Sequence, residues 1–267
     1  MFSSQLYQDE PIINDSTTEG ELMDAAAKLG MSTGLMLPMN RGDDYAYDVA
    51  EPFPDTLLIP ESEWQARIQE MEQRKTRLSD LVDQKGLPCK DQNGTNYCWI
   101  NAPTHCVEIQ RVVQNQEKVI LSPASVGAPI KGFRNNGGWG KEGLEYIVQH
   151  GLVPVEKWPA NAIDRKYWTE ENKALAMYYR VLEWTECRPR NKAQMASTLL
   201  NRWPGASGLN WWSHEVTYYE PVWVDGTLAV RARNSWGMSY GTKGYFILQG
   251  SKMLPDDYVC VRSQLAA

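Results

Sequence analysis

Cys98, followed by Trp99 at the head of an apolar stretch, is a candidate nucleophile. A helix N-terminus carries partial positive charge, which lowers a thiol pKa and favours the thiolate. That thiolate needs an imidazole to hold it and to protonate a leaving amine. The chain has three histidines. His105 lies seven residues after Cys98 on the same predicted helix, about 10 Å along its axis and out of reach of the sulfur. His150 precedes Gly151 at a predicted helix end, where it caps the last carbonyls. His214 is left, entering a region of strand periodicity. An imidazole in this role is oriented by a side-chain carbonyl or carboxylate. Asn234, in Asn234-Ser235-Trp236-Gly237 directly after the predicted strand Leu228–Arg233, is placed to supply it. Gln92, six residues before Cys98 across the Asn93-Gly94-Thr95 turn, can fold its amide back and donate to an oxyanion. Each residue also has a blander reading. Cys98 is then a small buried hydrophobe, His214 a satisfied core histidine and Asn234 a turn residue.

The elements that must position these groups differ between the two halves. Ser62-Glu63-Trp64-Gln65 fits a capping box, and Trp64, Ile68, Met71, Leu78 and Leu81 follow helical spacing, predicting a helix over 62–83. A second helix runs from about Cys98 to Asn115, with Pro103 as a kink near its first turn. A third covers about 141–150 after the Asn135-Asn136-Gly137-Gly138 turn, and 169–181 and 191–202 also read as helical. After Gly208, Val216 and Tyr218, Val222 and Val224, Leu228, Val230 and Ala232, and Tyr245 and Ile247 alternate with their neighbours. That is strand periodicity, and Asp225-Gly226 is a strong hairpin turn within it. The chain therefore reads as α+β, a helical lobe meeting an antiparallel sheet lobe.

The 267 residues are 42% hydrophobic and carry a net charge of −6, enough for a sizeable core. Residues 1–60 hold eleven Asp and Glu against Lys28 and Arg41, giving −9, and the remainder carries +3. With Pro11, Pro38, Pro52, Pro54 and Pro60 and one short helical pattern at Glu21–Leu29, this stretch reads as an acidic, extended arm. It is either a disordered tail or docked, on this domain or on a protein partner. The charge pattern argues against nucleic acid, which demands clustered Lys and Arg. No apolar run reaches 18 residues, so no membrane span is expected, and Met1-Phe2-Ser3-Ser4-Gln5 lacks a secretory pattern. Five cysteines without a CxxC do not make a disulfide scaffold; Cys89, Cys106, Cys187 and Cys260 read as structural or free thiols. Cys98, His105 and Cys106 lack paired ligand spacing, so no metal or cofactor is expected. The location these features imply is the cytoplasm or the inside of a larger particle.

In order along the chain stand Lys85-Gly86, Lys90-Asp91-Gln92-Asn93-Gly94, Cys98-Trp99, Asn136-Gly137-Gly138, His214, Asn234-Ser235-Trp236-Gly237, Gly241, Gly244 and Tyr245. This set resembles the papain-like cysteine peptidases over roughly residues 80–250. The resemblance implies a helical lobe and a β-barrel-like lobe with a cleft between them. It implies Cys98 as nucleophile, His214 as base and acid, Asn234 as its orienting group, and Gln92 with the Cys98 amide as oxyanion hole. It also implies Gly137 and Gly138 as backbone lining for an extended peptide and Trp236 as a shield over the Asn–His bond. Tyr97, next to the nucleophile, narrows or blocks that cleft. Thr95 and Asn135 stand where the family carries a disulfide, which reads as a fold that dispenses with it. Glu215 follows His214 where the family has a small residue, and its charge is expected to raise the imidazole pKa. The Cys98–His214 spacing of 116 implies trimmed loops in the sheet lobe. Trp211-Trp212 is expected to flank the cleft.

The expected organisation is an acidic arm over 1–60, docked outside the catalytic lobes or on a partner, an amphipathic helix over 61–84, and a catalytic domain over 85–267. The expected function is peptide-bond hydrolysis on a peptide or protein substrate. The alternative is a catalytically retired papain-like domain serving in a larger assembly such as a virion, and a third reading is acyl transfer to an amine by the same dyad.

Overall fold

The computed structural model of the chain describes residues 7, 9–37 and 50–264. The parts of the expected arm at 1–6, 8 and 38–49 lie outside the described residues. One sheet organises the rest. Its strands are β1 (Ile12–Ile13), β2 (Ala50–Pro52), β3 (Val181–Glu186), β4 (Gly205–Leu209), β5 (His214–Val224), β6 (Thr227–Arg233), β7 (Tyr245–Gln249) and β8 (Asp257–Gln264), in the order β1-β7-β6-β5-β4-β8-β3-β2. The six inner strands pair antiparallel, and β1 and β2 close the edges in parallel. The helices are α1 (Glu19–Lys28), α2 (Glu61–Arg74), α3 (Leu78–Lys85), α4 (Cys98–Val113), α5 (Ala124–Ile130), α6 (Gly140–His150), α7 (Glu170–Ala176) and α8 (Lys192–Leu200).

The hairpin between β5 and β6 forms at Asp225-Gly226, with both residues at positive φ, 50° and 77°. Two left-handed residues in succession match the twist of the flanking strands. β5 is buried along nearly its whole length because α4 covers it from the helical lobe while α2 and α8 also pack on it. The two-lobe α+β architecture expected from the sequence is therefore present. One apolar core joins Trp64, Ile68, Met195, Leu199, Tyr218, Val230 and Phe246, and a second joins Trp99, Ile100, Val107, Leu144 and Ile147 around α4 and α6.

Several local expectations differ from the structure. The helix expected over 62–83 is two helices, broken where Lys75 turns left-handed at φ 53° and Asp80 caps the amide of Arg77 at 3.1 Å. Glu61 rather than Ser62 opens the first of them, after Pro60. The helix expected to 181 stops at Ala176. Val181–Glu186 instead pairs with β8, a non-local choice that local periodicity does not encode.

The described parts of the first 60 residues lie on the chain itself. Ile12 and Ile13 extend β7, and Asp15 accepts the Ser251 amide at 3.0 Å. Glu10 pairs with Arg231, which also meets Glu220 at 3.1 Å, while Glu220 accepts the Ser79 amide at 3.1 Å. Buried charges of this kind persist only when paired and hydrogen-bonded, so this network fixes the N-terminal stretch, α3 and the sheet to one another.

Candidate active site

The stretch before α4 is stitched to the loop after β6. Gln92 N donates to Ser235 O at 2.8 Å, Gly237 N donates to Lys90 O at 2.9 Å, and Asp91 bridges Trp236. Lys90 is anchored beneath by the Glu108 carboxylate of α4 and by Leu121 O at 2.8 Å. The Asn93-Gly94 turn, with φ of 44° and 73°, then carries the chain back so that Thr95 N meets Gln92 O at 2.9 Å. Cys98 follows as the first residue of α4, and its N-cap Tyr97 offers no capping side chain. The helix start thus keeps amides free for another acceptor.

His214 opens β5. Its Nε2 lies 2.8 Å from Asn234 Oδ1, which also accepts the Ser235 amide at 2.8 Å. An oxygen that already accepts an amide hydrogen must accept from the imidazole as well, so Nε2 carries the proton and Nδ1 the lone pair. Nδ1 is buried and has no hydrogen-bond partner. The Trp236 ring packs over the imidazole at 4.9 Å and Trp212 meets it edge-on at 4.9 Å. Burial in this aromatic cage pushes the His214 pKa down to about 4, against the Asn234 bond. The expected upward pull of Glu215 on the imidazole is therefore not what governs it. Successive strand residues face opposite ways, and desolvation dominates.

Burial likewise pushes the Cys98 thiol up to about 12, with Glu215 adding to it and the backbone amides of Glu215, Gly34 and Trp99 opposing it. The contact with Gly34 was not anticipated. Gly34 N donates to Cys98 Sγ at 3.2 Å, and Gln92 Nε2 donates to Ser32 O at 2.8 Å. Gly138 N donates to Gly34 O and Met36 N to Gly138 O, both at 2.9 Å, making a parallel bridge between Leu35 and Gly138. Leu35 N reaches Ser213 O at 3.2 Å on the sheet lobe. Residues 32–36 are thus a strap across the cleft. This corrects the expectation that 1–60 docks outside the catalytic lobes. The cleft presents free backbone groups from both sides, and an extended segment of the same chain satisfies them.

The other expected residues sort as follows. Gly137 and Gly138 line the cleft, and a Cβ on Gly137 would come 2.5 Å from Gly34 O. Trp236 is fully buried against His214. Tyr97 does not narrow the cleft. Its ring packs against Gly127 inside the helical lobe and its hydroxyl donates to Arg134 O at 2.8 Å, because the helix start turns it inward. Trp212 contacts His214, with Trp211 stacked on it at 5.5 Å. His105 is held between Glu108 at 2.9 Å and Tyr219 at 2.5 Å, a satisfied core histidine. All five cysteines are free. Where a disulfide would tie Thr95 to Asn135, Asn96 N instead donates to Asn135 Oδ1 at 2.7 Å. Among the described residues no cluster suits a metal ion and no helix is long and apolar enough to cross a membrane.

Sequence reasoning missed Ser235. Its hydroxyl donates to Gln92 Oε1 at 2.6 Å, which turns the Nε2 end of that amide toward the cleft. Two polar residues 143 positions apart give no local signal of such a bond.

Solved structures share this architecture. The chain superposes on xylellain, a cysteine protease from Xylella fastidiosa, with a TM-score of 0.61 at 16% identity, covering 88% of this chain and 97% of that one. It superposes on procathepsin B S9 from Trypanosoma congolense with a TM-score of 0.63 at 12% identity, covering 91% and 89%. The chain has the papain-like fold. Curated relatives of the papain-like chain include digestive cysteine proteinase 3 of Homarus americanus, 28% identical over 182 residues, 59% of this chain and 56% of that protein. Cathepsin L 2 of Paramecium tetraurelia is 25% identical over 178 residues, 60% and 55%. The papain-like chain spans about half the length of the curated relatives it matches. No family model matches it.

Proposed function

We propose that this chain hydrolyses peptide bonds through Cys98. The observation that carries the reading is the commitment of His214 Nε2 to Asn234, which leaves a buried, unpartnered Nδ1 beside the head of α4. The residue after His214 reaches the Cys98 sulfur through its backbone amide, so imidazole and thiol share one locality. In the reaction Nδ1 takes the thiol proton and the thiolate attacks the substrate carbonyl carbon. The negative charge moves to the carbonyl oxygen, which accepts from Gln92 Nε2 and the Cys98 amide. Nδ1–H then protonates the departing amine as the C–N bond breaks, leaving a thioester. A water, deprotonated by Nδ1, attacks that thioester and restores the thiol. Asn234 keeps the imidazole in the required tautomer throughout, and the aromatic cage keeps water from that bond.

The strap favours a latent resting form. Ser32 O already occupies the Gln92 donor, Gly34 N engages the sulfur, and the thiol is driven toward its neutral form. The same observation is what favours the second reading, a papain-like module that binds without catalysis. Under it the strap never lifts, and a protein partner meets another face of the chain. Labelling Cys98 with a peptidyl epoxide, mapped by mass spectrometry in wild type, Gly34→Ala and Cys98→Ser, separates the two. Selective modification of Cys98, fastest in Gly34→Ala and absent in Cys98→Ser, is the expected result. A folded Gly34→Ala chain that takes no label and cleaves no peptide overturns the peptidase reading.

A further inference from the structure

Cys98 opens α4 and His214 opens β5, and farther along both elements one buried side-chain pair joins them. The pair is His105 of α4 and Tyr219 of β5. His105 Nδ1 lies 2.9 Å from Glu108 Oε2, and its Nε2 lies 2.5 Å from the Tyr219 hydroxyl. A carboxylate only accepts, so Nδ1 carries the proton and the Tyr219 hydroxyl donates to Nε2. Burial alone would raise the Glu108 carboxyl, but Lys90 and His105 hold it below the usual carboxylate range. Burial, helped by Arg233 and Lys90 and opposed by Glu108, pushes the His105 pKa down to about 4. The imidazole is therefore a neutral link.

β5 is reshaped where it makes this contact. Tyr218 pairs with Ala232 and Glu220 with Arg231, which leaves Tyr219 as the extra residue of a bulge against β6. A bulge gives up ladder pairing and re-aims a side chain. Here the ring packs with Leu78, Val82 and Ile109 while its hydroxyl meets His105.

Both ends of the pair lead to residues of the candidate site. At one end Glu108 also takes the Lys90 ammonium, and Lys90, two residues before Gln92, accepts Gly237 N at its backbone oxygen at 2.9 Å. At the other end the Arg233 guanidinium faces the Tyr219 hydroxyl, and Arg233 directly precedes Asn234. Arg233 is itself buried, donating to Lys243 O at 3.1 Å and Leu87 O at 3.3 Å. A narrow internal gap lined in part by Lys90, His105, Arg233, Asn234 and Ser235 places the imidazole close beneath the Asn234 loop. Apolar side chains at 105 and 219 would fill the same space without the desolvation these polar groups cost, so stability alone does not account for the pair.

We propose that His105 and Tyr219 are positioning residues: their hydrogen bond ties the segment carrying Gln92 to the segment carrying Asn234, so that the oxyanion donor and the amide orienting His214 keep one register. The proposal rests on the peptidase reading for its effect on turnover, but the coupling itself is read without turnover. Tyr219→Phe removes only the hydroxyl. In the full chain with isotope-labelled histidine, NMR follows two buried ring protons, His105 Nδ1–H and His214 Nε2–H, the first identified by its loss in His105→Gln. Tyr219→Phe is expected to speed exchange of the His214 proton with water by about tenfold or more. Ile109→Val, which loosens the same cluster without touching the pair, is expected to leave that exchange as in wild type. A His214 proton unchanged in Tyr219→Phe, or quickened equally by Ile109→Val, overturns the coupling. In the Gly34→Ala background, Tyr219→Phe is expected to lower kcat by about tenfold and leave KM, with Ile109→Val at the parent's rate. An unchanged kcat in Tyr219→Phe also overturns the proposal. A Gly34→Ala parent that cleaves no peptide sinks the peptidase reading instead and leaves the exchange comparison to decide the coupling.

Discussion

Gln92 Nε2 donates to the carbonyl oxygen of Ser32 at 2.8 Å, so the donor expected to stabilise an oxyanion already holds a backbone carbonyl of the same chain. Two residues on, Gly34 N points at Cys98 Sγ from 3.2 Å. The strap therefore contacts both the proposed nucleophile and the proposed oxyanion donor, and it runs parallel to Gly138.

Gly34 is the weak point of that strap. A Cβ there would fall 2.1 Å from Asn96 O and 2.7 Å from its carbonyl carbon, contacts that backbone cannot relieve without moving the strap. Gly34→Ala is expected to lift residues 32–36, rehydrate the thiol and accelerate alkylation of Cys98 by about tenfold or more, because hydration favours the thiolate. The fold persists, since of residues 32–36 only Leu35 belongs to either core. Alkylation at the wild-type rate in a folded Gly34→Ala chain would show that the strap does not control access.

Ser235 is expected to act on the proposed reaction through Gln92. With its hydroxyl on Gln92 Oε1 at 2.6 Å, the amide is held with Nε2 toward the cleft. In the Gly34→Ala background, Gln92→Ala is expected to lower kcat by about a hundredfold or more with little change in KM, as for loss of one oxyanion donor. Ser235→Ala is expected to lower kcat by about tenfold, again leaving KM, with partial recovery in Ser235→Thr. Steady-state kinetics on one peptide decide it. If Ser235→Ala matches its parent while Gln92→Ala is impaired, Ser235 is only structural.

The residues proposed to react could be named from the sequence because each carries its chemistry in its type and because their order along the chain is unusual. The hairpin at Asp225-Gly226 and the strand state of β5 were equally readable, the first from left-handed turn residues and the second from alternation, whereas the burial of β5 on both faces was not. What local pattern does not encode is pairing across distance. β4 and β8 have little polar alternation because β4 is buried throughout, and β3 gains its state only from β8. The strap shows the same limit. Ser32-Thr33-Gly34 is a run of small residues with no periodicity, and its place is set by the Gln92 side chain and by backbone groups of Gly138 and Ser213 that sequence spacing does not bring together. Tyr97 misled for a different reason, since adjacency to Cys98 along the chain says nothing of which way a ring leaves a helix N-cap.

Glu215 gives a pH signature of defined sign. Its folded-state carboxyl is raised well above 4.5, so as pH rises past 4.5 the unfolded chain releases this proton before the folded chain does. Stability from this group is full below about pH 4.5 and falls as pH rises toward the folded value. Glu215→Gln removes that dependence. The melting temperature of Glu215→Gln relative to wild type is expected to rise steadily from pH 4 to pH 8, becoming a gain of several degrees. Parallel curves for the two proteins over that range would rule out a buried, protonated Glu215.

The cross-link beside Cys98 that the sequence resemblance implied in sulfur is made here with amides. Asn135 Oδ1 accepts Asn96 N at 2.7 Å and Asn135 O accepts Asn96 Nδ2 at 3.0 Å, joining the turn before Cys98 to the Gly137-Gly138 cleft edge. Five free cysteines mean that oxidation state does not enter the stability of this edge. The melting temperature is expected to be the same with and without dithiothreitol, and thiol titration in denaturant without reductant should return five thiols per chain. Asn135→Ala should cost about 1 kcal/mol, the net value of a hydrogen bond at a partly exposed site, and loosen the strap's seat on Gly138. A reductant-sensitive melt, or fewer than five thiols, would place a disulfide in the chain and transfer the stabilising role from Asn135 to sulfur.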